Sequence, residues 1–246
     1  MSESLTLDDL RRLEAPAVPN TETLTDGGAA EGSRIFGFAP SLVMISNPAS
    51  AQADSIRALR THIMAQHINH GRRALAVCAP NVGVGCSFVA ANLAVSLSQI
   101  GVKTLLVDGD LRRPALDRMI RRSVEGGGLT ECLQSTNAPF GPSIDPDVLP
   151  NLSLLYAGRS APNTQEMLGG DRFRALMNFC LREFEVTIID TPPANTSTDA
   201  RRIGSVAGYA LIVTAKDKTF VKDVKTLTSE LRSDGCIPVG SVLNGA

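Results

Sequence analysis

The chain has 246 residues, 43% of them apolar and 20% charged, with a net charge of −1. That length supports one large domain with a well-buried core, and the balance is that of an ordinary soluble globular protein. The near-neutral charge excludes a protein that grips nucleic acid by bulk phosphate neutralisation, and no apolar run reaches the roughly 18 to 20 residues that cross a bilayer.

Met1 to Leu13 carries acids early, basic residues later and no apolar stretch, so it does not read as a secretory signal and the default compartment is the cytoplasm. Residues 1–40 are polar, with Pro16, Pro19, Gly27, Gly28 and Gly32 and no sustained period. Such a composition cannot bury enough apolar surface to offset its ordering entropy, which predicts a flexible tail ahead of a domain over 41–246. A helix is expected over Ser50 to Gln66, where Asp54, Arg57 and Arg60 recur along one side and Ile56, Leu59 and Ile63 supply apolar contacts. Near its end lie His62, His67 and His70, no two at helical i,i+4 spacing, which predicts a solvated helix end.

Short apolar runs then alternate with helices. Strands are expected at Ala74 to Cys78, Thr104 to Val107, Leu152 to Tyr156, Val186 to Ile189, Tyr209 to Thr214 and Val239 to Leu243, with a helix over Ser87 to Ile100. Continuously apolar strands alternating with helices predict an α/β fold whose mostly parallel central sheet is covered by helices on both faces. Ser135 to Asn151, rich in proline, reads as a long surface loop. Five scattered cysteines without a C-x-x-C pair read as reduced, mostly buried thiols rather than a disulfide frame or zinc site.

Three strand ends carry chemistry. After the first core strand, Asn81-Val82-Gly83-Val84-Gly85-Cys86-Ser87 turns into a helix that continues with Phe88. Glycines at 83 and 85 let backbone N–H groups approach a phosphate at the positive helix end, and Ser87 stands where a hydroxyl would ligate magnesium. The second strand ends in Asp108-Gly109-Asp110-Leu111-Arg112-Arg113-Pro114. Two residues apart on an extended chain, Asp108 and Asp110 are expected to point the same way off the strand end. The fourth strand ends at Asp190, which is placed to hold a magnesium-bound water. Ligand sites of open parallel sheets lie outside such strand ends, so the set predicts a nucleotide site, working or relic.

With these stretches, and with Asp54 to Thr61, Ala91-Asn92-Leu93-Ala94, Pro162-Asn163, Ile188 to Pro193 and Leu243-Asn244-Gly245, the chain resembles the bacterial tyrosine kinases of capsule and exopolysaccharide systems, P-loop NTPase-like relatives of the Min/Par ATPases, over about residues 47–245. The resemblance implies ATP and magnesium as ligands, Gly83, Val84, Gly85, Cys86, Ser87 and Phe88 at the nucleotide, and Ser87, Asp108 and Asp190 at the metal. It implies Asp110 and Asp108 as catalytic carboxylates if the site is active. In that family a Glu-x-x-Arg-x-x-Arg pattern mediates ring assembly; here Asp54 stands for the glutamate and Arg57 and Arg60 are retained, implying a homo-oligomer. A solvated face of helical ion pairs is the plainer reading of the same residues.

Two departures weigh against catalysis. The family's loop lysine is replaced by Cys86, and the second lysine of the Min/Par relatives by Asn81. A hydrogen bond to a charged group contributes about 1.5 to 3 kcal/mol, so losing it weakens nucleotide binding roughly ten- to a hundredfold, and transfer suffers more. A thiol at a helix N-terminus can alternatively have a lowered pKa and be redox-sensitive; relaxed selection at a dead catalytic position is the preferred reading. The family's C-terminal tyrosine cluster is also missing: the chain has Tyr156 and Tyr209 alone, both expected in strands. The leading expectation is therefore a catalytically impaired kinase-like subunit of an exopolysaccharide export system, binding ATP and magnesium weakly or not at all. A membrane polysaccharide co-polymerase (a chain-length regulator) would recruit it to the inner membrane. The alternatives are an active ATP-dependent enzyme in which Arg112 or Arg113 supplies the missing charge, and a Min/Par-type positioning ATPase.

Overall fold

The computed structural model describes residues 35–124 and 126–245; positions 1–34 of the expected tail, and with them the reading of Met1 to Leu13, lie outside the described residues. In chain order the elements are β1 (Phe36–Phe38), α1 (Val43–Ser46), α2 (Ala51–Gln66), β2 (Ala74–Cys78), α3 (Cys86–Ser98), β3 (Thr104–Asp108), α4 (Leu116–Met119), β4 (Ile120–Arg122), α5 (Leu129–Gln134) and β5 (Asp145–Leu149). They continue with β6 (Leu152–Leu155), α6 (Thr164–Gly169), α7 (Asp171–Glu183), β7 (Val186–Asp190), α8 (Asp199–Ala207), β8 (Tyr209–Ala215), α9 (Val221–Ser233) and β9 (Ile237–Asn244).

Among the described residues seven strands form one sheet in the order β5-β6-β3-β7-β2-β8-β9, parallel except for β5 at one edge. The inner strands β2, β3, β7 and β8 are apolar along most of their length because each feeds two cores. On β2, Leu75 and Val77 enter the core under α2 and α3, while Ala74, Ala76 and Cys78 enter the one under α5 to α9. β7 divides in the same way, with Val186 and Ile188 on one side and Ile189 on the other. A period of two read against two buried faces gives a continuous apolar run.

The helices follow from their caps and neighbours. Ser50 accepts a hydrogen bond from the Ala53 N–H and so opens α2 one residue after the expected start. α3 is buried from Val89 to Ser98, which suits its place between α2 and the sheet. Its one buried amide, Asn92, donates to the Ser41 and Phe88 carbonyls and accepts from the Met44 N–H, tying the segment before α2 to the helix.

Three expectations change. Phe36–Phe38, within the stretch read as tail, pairs antiparallel with Ile120–Arg122. The loop expected over Ser135 to Asn151 contains strand β5, antiparallel to β6; its prolines misled the reading because an edge strand can lack donors on its open side. The histidines do not share a solvated end. His62 and His70 are exposed, but His67 is fully buried, with Nε2 3.3 Å from the Ala74 carbonyl and its ring edge-on to Tyr209. Burial first, then the Arg72 charge, lowers its pKa, opposed by the bond to Ala74.

Candidate nucleotide site

Strand β7 lies between β2 and β3, so the turn after β2 and the acids ending β3 and β7 share one edge of the sheet. Val77 of β2 and Asp108 of β3 are both in register with Asp190. The chain therefore brings its phosphate-type turn and two buried carboxylates together at the carboxyl ends of neighbouring strands.

The turn is built for close approach. Gly83 and Gly85 have φ of 72° and 89°, in the left-handed region, and α3 begins at Cys86. A Cβ on Gly85 would also collide with the side-chain amide of Asn244, which donates 3.0 Å to the Val84 carbonyl. The first-turn N–H groups of a helix lack intrahelical partners and carry partial positive charge, which suits an anion. Val84 is buried, so it offers backbone alone, and Phe88 packs its ring on the core.

At the lysine position, the Cys86 thiol turns inward and donates 3.0 Å to the Val77 carbonyl, which also accepts from the Thr191 hydroxyl at 2.9 Å. Burial, and after it the negative field of Asp190, pushes the thiol well above its ordinary value. That direction runs against the redox-sensitive, low-pKa alternative, because desolvation and a neighbouring acid both oppose the thiolate. Position 86 presents a neutral thiol.

The two strand-end acids differ. Asp108 is fully buried and accepts from three backbone N–H groups: Asp110 at 3.2 Å, Ala115 at 3.1 Å and Leu116 at 3.0 Å. Burial raises it to about 6 against the pull of those bonds. Asp190 is equally buried, yet neither oxygen has a well-formed hydrogen bond. Burial first, then Asp108, lifts it to about 8, with the nearby Ser87 hydroxyl and Cys86 thiol acting in the opposite direction. An unpartnered buried carboxylate beside a hydroxyl has the hard oxygen donors that suit magnesium, so Asp190 and Ser87 fit that ion. Asp108 has committed its oxygens to backbone.

Of the expected acidic pair, only Asp108 belongs to the strand itself. β3 ends at Asp108, the chain bends, and Asp110 accepts from the N–H groups of Arg112 and Arg113. Asp108 instead lines a cleft of about 860 Å³ shared with Arg118, Arg121, Arg122 and Arg159. Arg112 is engaged elsewhere, 3.0 Å from Asp199, whose same oxygen accepts from Thr164. On α2, Asp54 and Arg57 form an exposed pair at 2.7 Å, whereas Arg60 reaches inward to the Ser96 carbonyl and hydroxyl.

Three residues at the loop were not singled out from the sequence. Lys218 Nζ lies 3.4 Å from the Gly83 carbonyl, Asn81 donates to Asp223 at 3.4 Å, and Asn244 holds Val84. All three contacts span more than 130 positions, and proximity in space has no signal in a single sequence. Asn244, inside a family-like stretch, was the one within reach.

Fold and strand-end geometry define a P-loop domain of the kinase and ATPase type. No family model matches the chain. It is 30% identical over 203 residues to CapB of Staphylococcus aureus, assigned as a tyrosine-protein kinase, covering 82% of this chain and 88% of that one. It is 29% identical to the tyrosine-protein kinase Wzc of Salmonella typhimurium, of whose length it spans 28%. Among solved structures, the kinase domain of the Escherichia coli tyrosine kinase Etk superposes with a TM-score of 0.76 at 27% identity, covering 83% of this chain and 80% of that one. MinD from Pyrococcus horikoshii, solved with Mg-ADP, shares the fold at 21% identity, with a TM-score of 0.59 over 70% of each chain. The chain belongs to the bacterial tyrosine-protein kinase family.

Proposed function

We propose that this chain is a kinase-like subunit of an exopolysaccharide or capsule export system, with a nucleotide site that is retained in shape and impaired in catalysis. It acts with a membrane polysaccharide co-polymerase as a regulatory or scaffolding partner. The observation that carries the reading is the contrast inside one loop: the glycine cradle and Asp190 are kept, while position 86 holds a neutral thiol turned toward the Val77 carbonyl. Phosphoryl transfer depends on charge placed against the transferring group, and this loop has none of its own to offer. When bound, ATP would supply the phosphates that the residue 83–87 turn cradles, and magnesium would sit with Ser87 and Asp190.

Among the described residues no helix is long and apolar enough to cross a membrane, which is compatible with recruitment by a membrane partner. Assembly through Asp54 and Arg57 remains part of the proposal, with Arg60 serving the contact between α2 and α3. The active-enzyme reading loses support at Arg112, which is held by Asp199.

The test is a phosphotransfer assay on this chain and on Cys86→Lys, each with the partner's cytoplasmic segment. Transfer by the lysine variant alone is expected. Transfer by the native chain that is lost on Asp110→Asn would show an active enzyme instead. Co-purification with a co-polymerase addresses the partner, and clean isolation of each without the other would count against it.

A further inference from the structure

The loop after β8 folds onto the phosphate turn from outside. The Ala215 carbonyl accepts from the N–H groups of Lys218 and Thr219, the Thr219 hydroxyl accepts from the Ala215 N–H, and Asp217 takes a left-handed φ of 59°. This tight turn sets Lys218 at the rim of the phosphate turn, its Nζ 3.4 Å from the Gly83 carbonyl. Five residues on, Asp223 in the first turn of α9 holds Asn81 at 3.4 Å. From the end of β9, Asn244 holds Val84. Three consecutive contacts thus pin positions 81, 83 and 84 to the C-terminal part of the chain, and the middle one is a cation.

Lys218 forms no ion pair among the described residues, so no carboxylate consumes its charge. Among the described residues its side-chain hydrogen bond goes to a carbonyl of the turn whose glycines shape the cradle. Among the described residues Lys216, in the same loop, has no side-chain hydrogen bond or ion pair with the turn, and Arg112 is committed to Asp199. We infer that Lys218 supplies, from the β8–α9 loop, the positive charge that position 86 has lost, so that the turn holds the polyphosphate of a nucleotide. The inference rests on the nucleotide-site reading above and deepens it. A cation standing at Gly83 serves ground-state binding; it does not restore the charge at the first residue of α3 that transfer uses. The site is then one that nucleotide occupies without being consumed, which suits regulation.

The experiment is calorimetry of Mg·ATP and Mg·ADP binding to the native chain and to Lys218→Gln, Lys218→Arg, Lys216→Gln and Cys86→Lys. Glutamine keeps a donor for the Gly83 carbonyl and removes the charge, so it separates electrostatics from loop packing. The native chain is expected to bind ATP, with Lys218→Gln roughly tenfold weaker and the loss larger for ATP than for ADP. Lys218→Arg and Lys216→Gln should stay within about threefold of native, since each retains the charge at the turn. Native affinity in Lys218→Gln overturns the inference and leaves the nucleotide site standing. So does a native chain that is silent while Cys86→Lys binds. Silence from both native and Cys86→Lys removes the nucleotide reading along with it.

Discussion

The ends of β3 and β7 stand side by side, in register, each closing on a buried aspartate, and they have opposite structural roles. Asp108 accepts three backbone N–H groups, two of them at the start of α4, and so holds the bend after its own strand. Asp190, one strand over, has both oxygens buried and no well-formed hydrogen bond. Leaving a buried acceptor unmade costs more than an ordinary bond returns, so such a group persists where something else is meant to meet it. Two carboxylates that look equivalent in sequence therefore divide into one that builds the site and one that waits on a ligand or a proton.

Replacing each acid should break that symmetry with opposite signs. Asp108→Ala strands three backbone donors in the interior and should cost about 3 to 5 kcal/mol in urea unfolding. Asp190→Asn should stabilise the chain at alkaline pH. Its folded-state pKa, about 8, lies above the ordinary carboxylate value, so the native form takes up a proton. The stability that the protonated acid contributes is complete below about pH 4 and is lost as pH rises through 8, with a limiting slope of about 1.4 kcal/mol per pH unit. The asparagine variant should lack that slope and be the more stable protein at pH 8, by roughly 2 kcal/mol or more. Parallel pH–stability curves for the two proteins would mean that Asp190 is not protonated on folding.

The order of this fold was legible because its signals are local. Continuous apolar strands, a Gly-x-Gly turn into a helix and aspartates at strand ends each occupy a few adjacent residues, and every strand expected from the sequence lies within two residues of its observed boundaries, the largest difference being at β9, which begins two residues early. What failed was long-range or edge-specific. Prolines of an edge strand looked like loop, and His67 looked exposed until Tyr209, from a strand far along the chain, covered it. At the site, glycines and acids could be read as a set, but not the division between Asp108 and Asp190, because the N–H groups of Ala115 and Leu116 return only through the bend that Asp108 itself stabilises.

Cys86→Lys sharpens the comparison from the other side. An ammonium at that position enters the field of Asp190, and an opposite charge within reach favours the ionised carboxylate. Asp190 should then titrate well below 8, followed by its side-chain carboxyl carbon signal, and Mg·ATP affinity should rise roughly tenfold or more. An Asp190 that still titrates near 8 in this variant would place the new lysine outside the pocket.

The smallest effect is expected on α2, where one family-like motif divides in the same manner. Arg60 bonds the Ser96 carbonyl and hydroxyl, so Arg60→Ala should destabilise the chain by about 1 to 2 kcal/mol through the lost contact between α2 and α3. The Asp54–Arg57 pair is exposed, with 72% of the aspartate side chain accessible, and exposed pairs contribute little to stability. Arg57→Glu should therefore shift unfolding by less than about 0.5 kcal/mol. If the exposed pair serves self-association, sedimentation should nonetheless show a loss of oligomer in Arg57→Glu, and Asp54→Arg combined with it should recover part of that loss by restoring the charge pairing. A chain whose sedimentation is indifferent to both changes would leave Asp54 and Arg57 as a solvated face, and the motif would then owe its arginine at 60 to packing within the subunit.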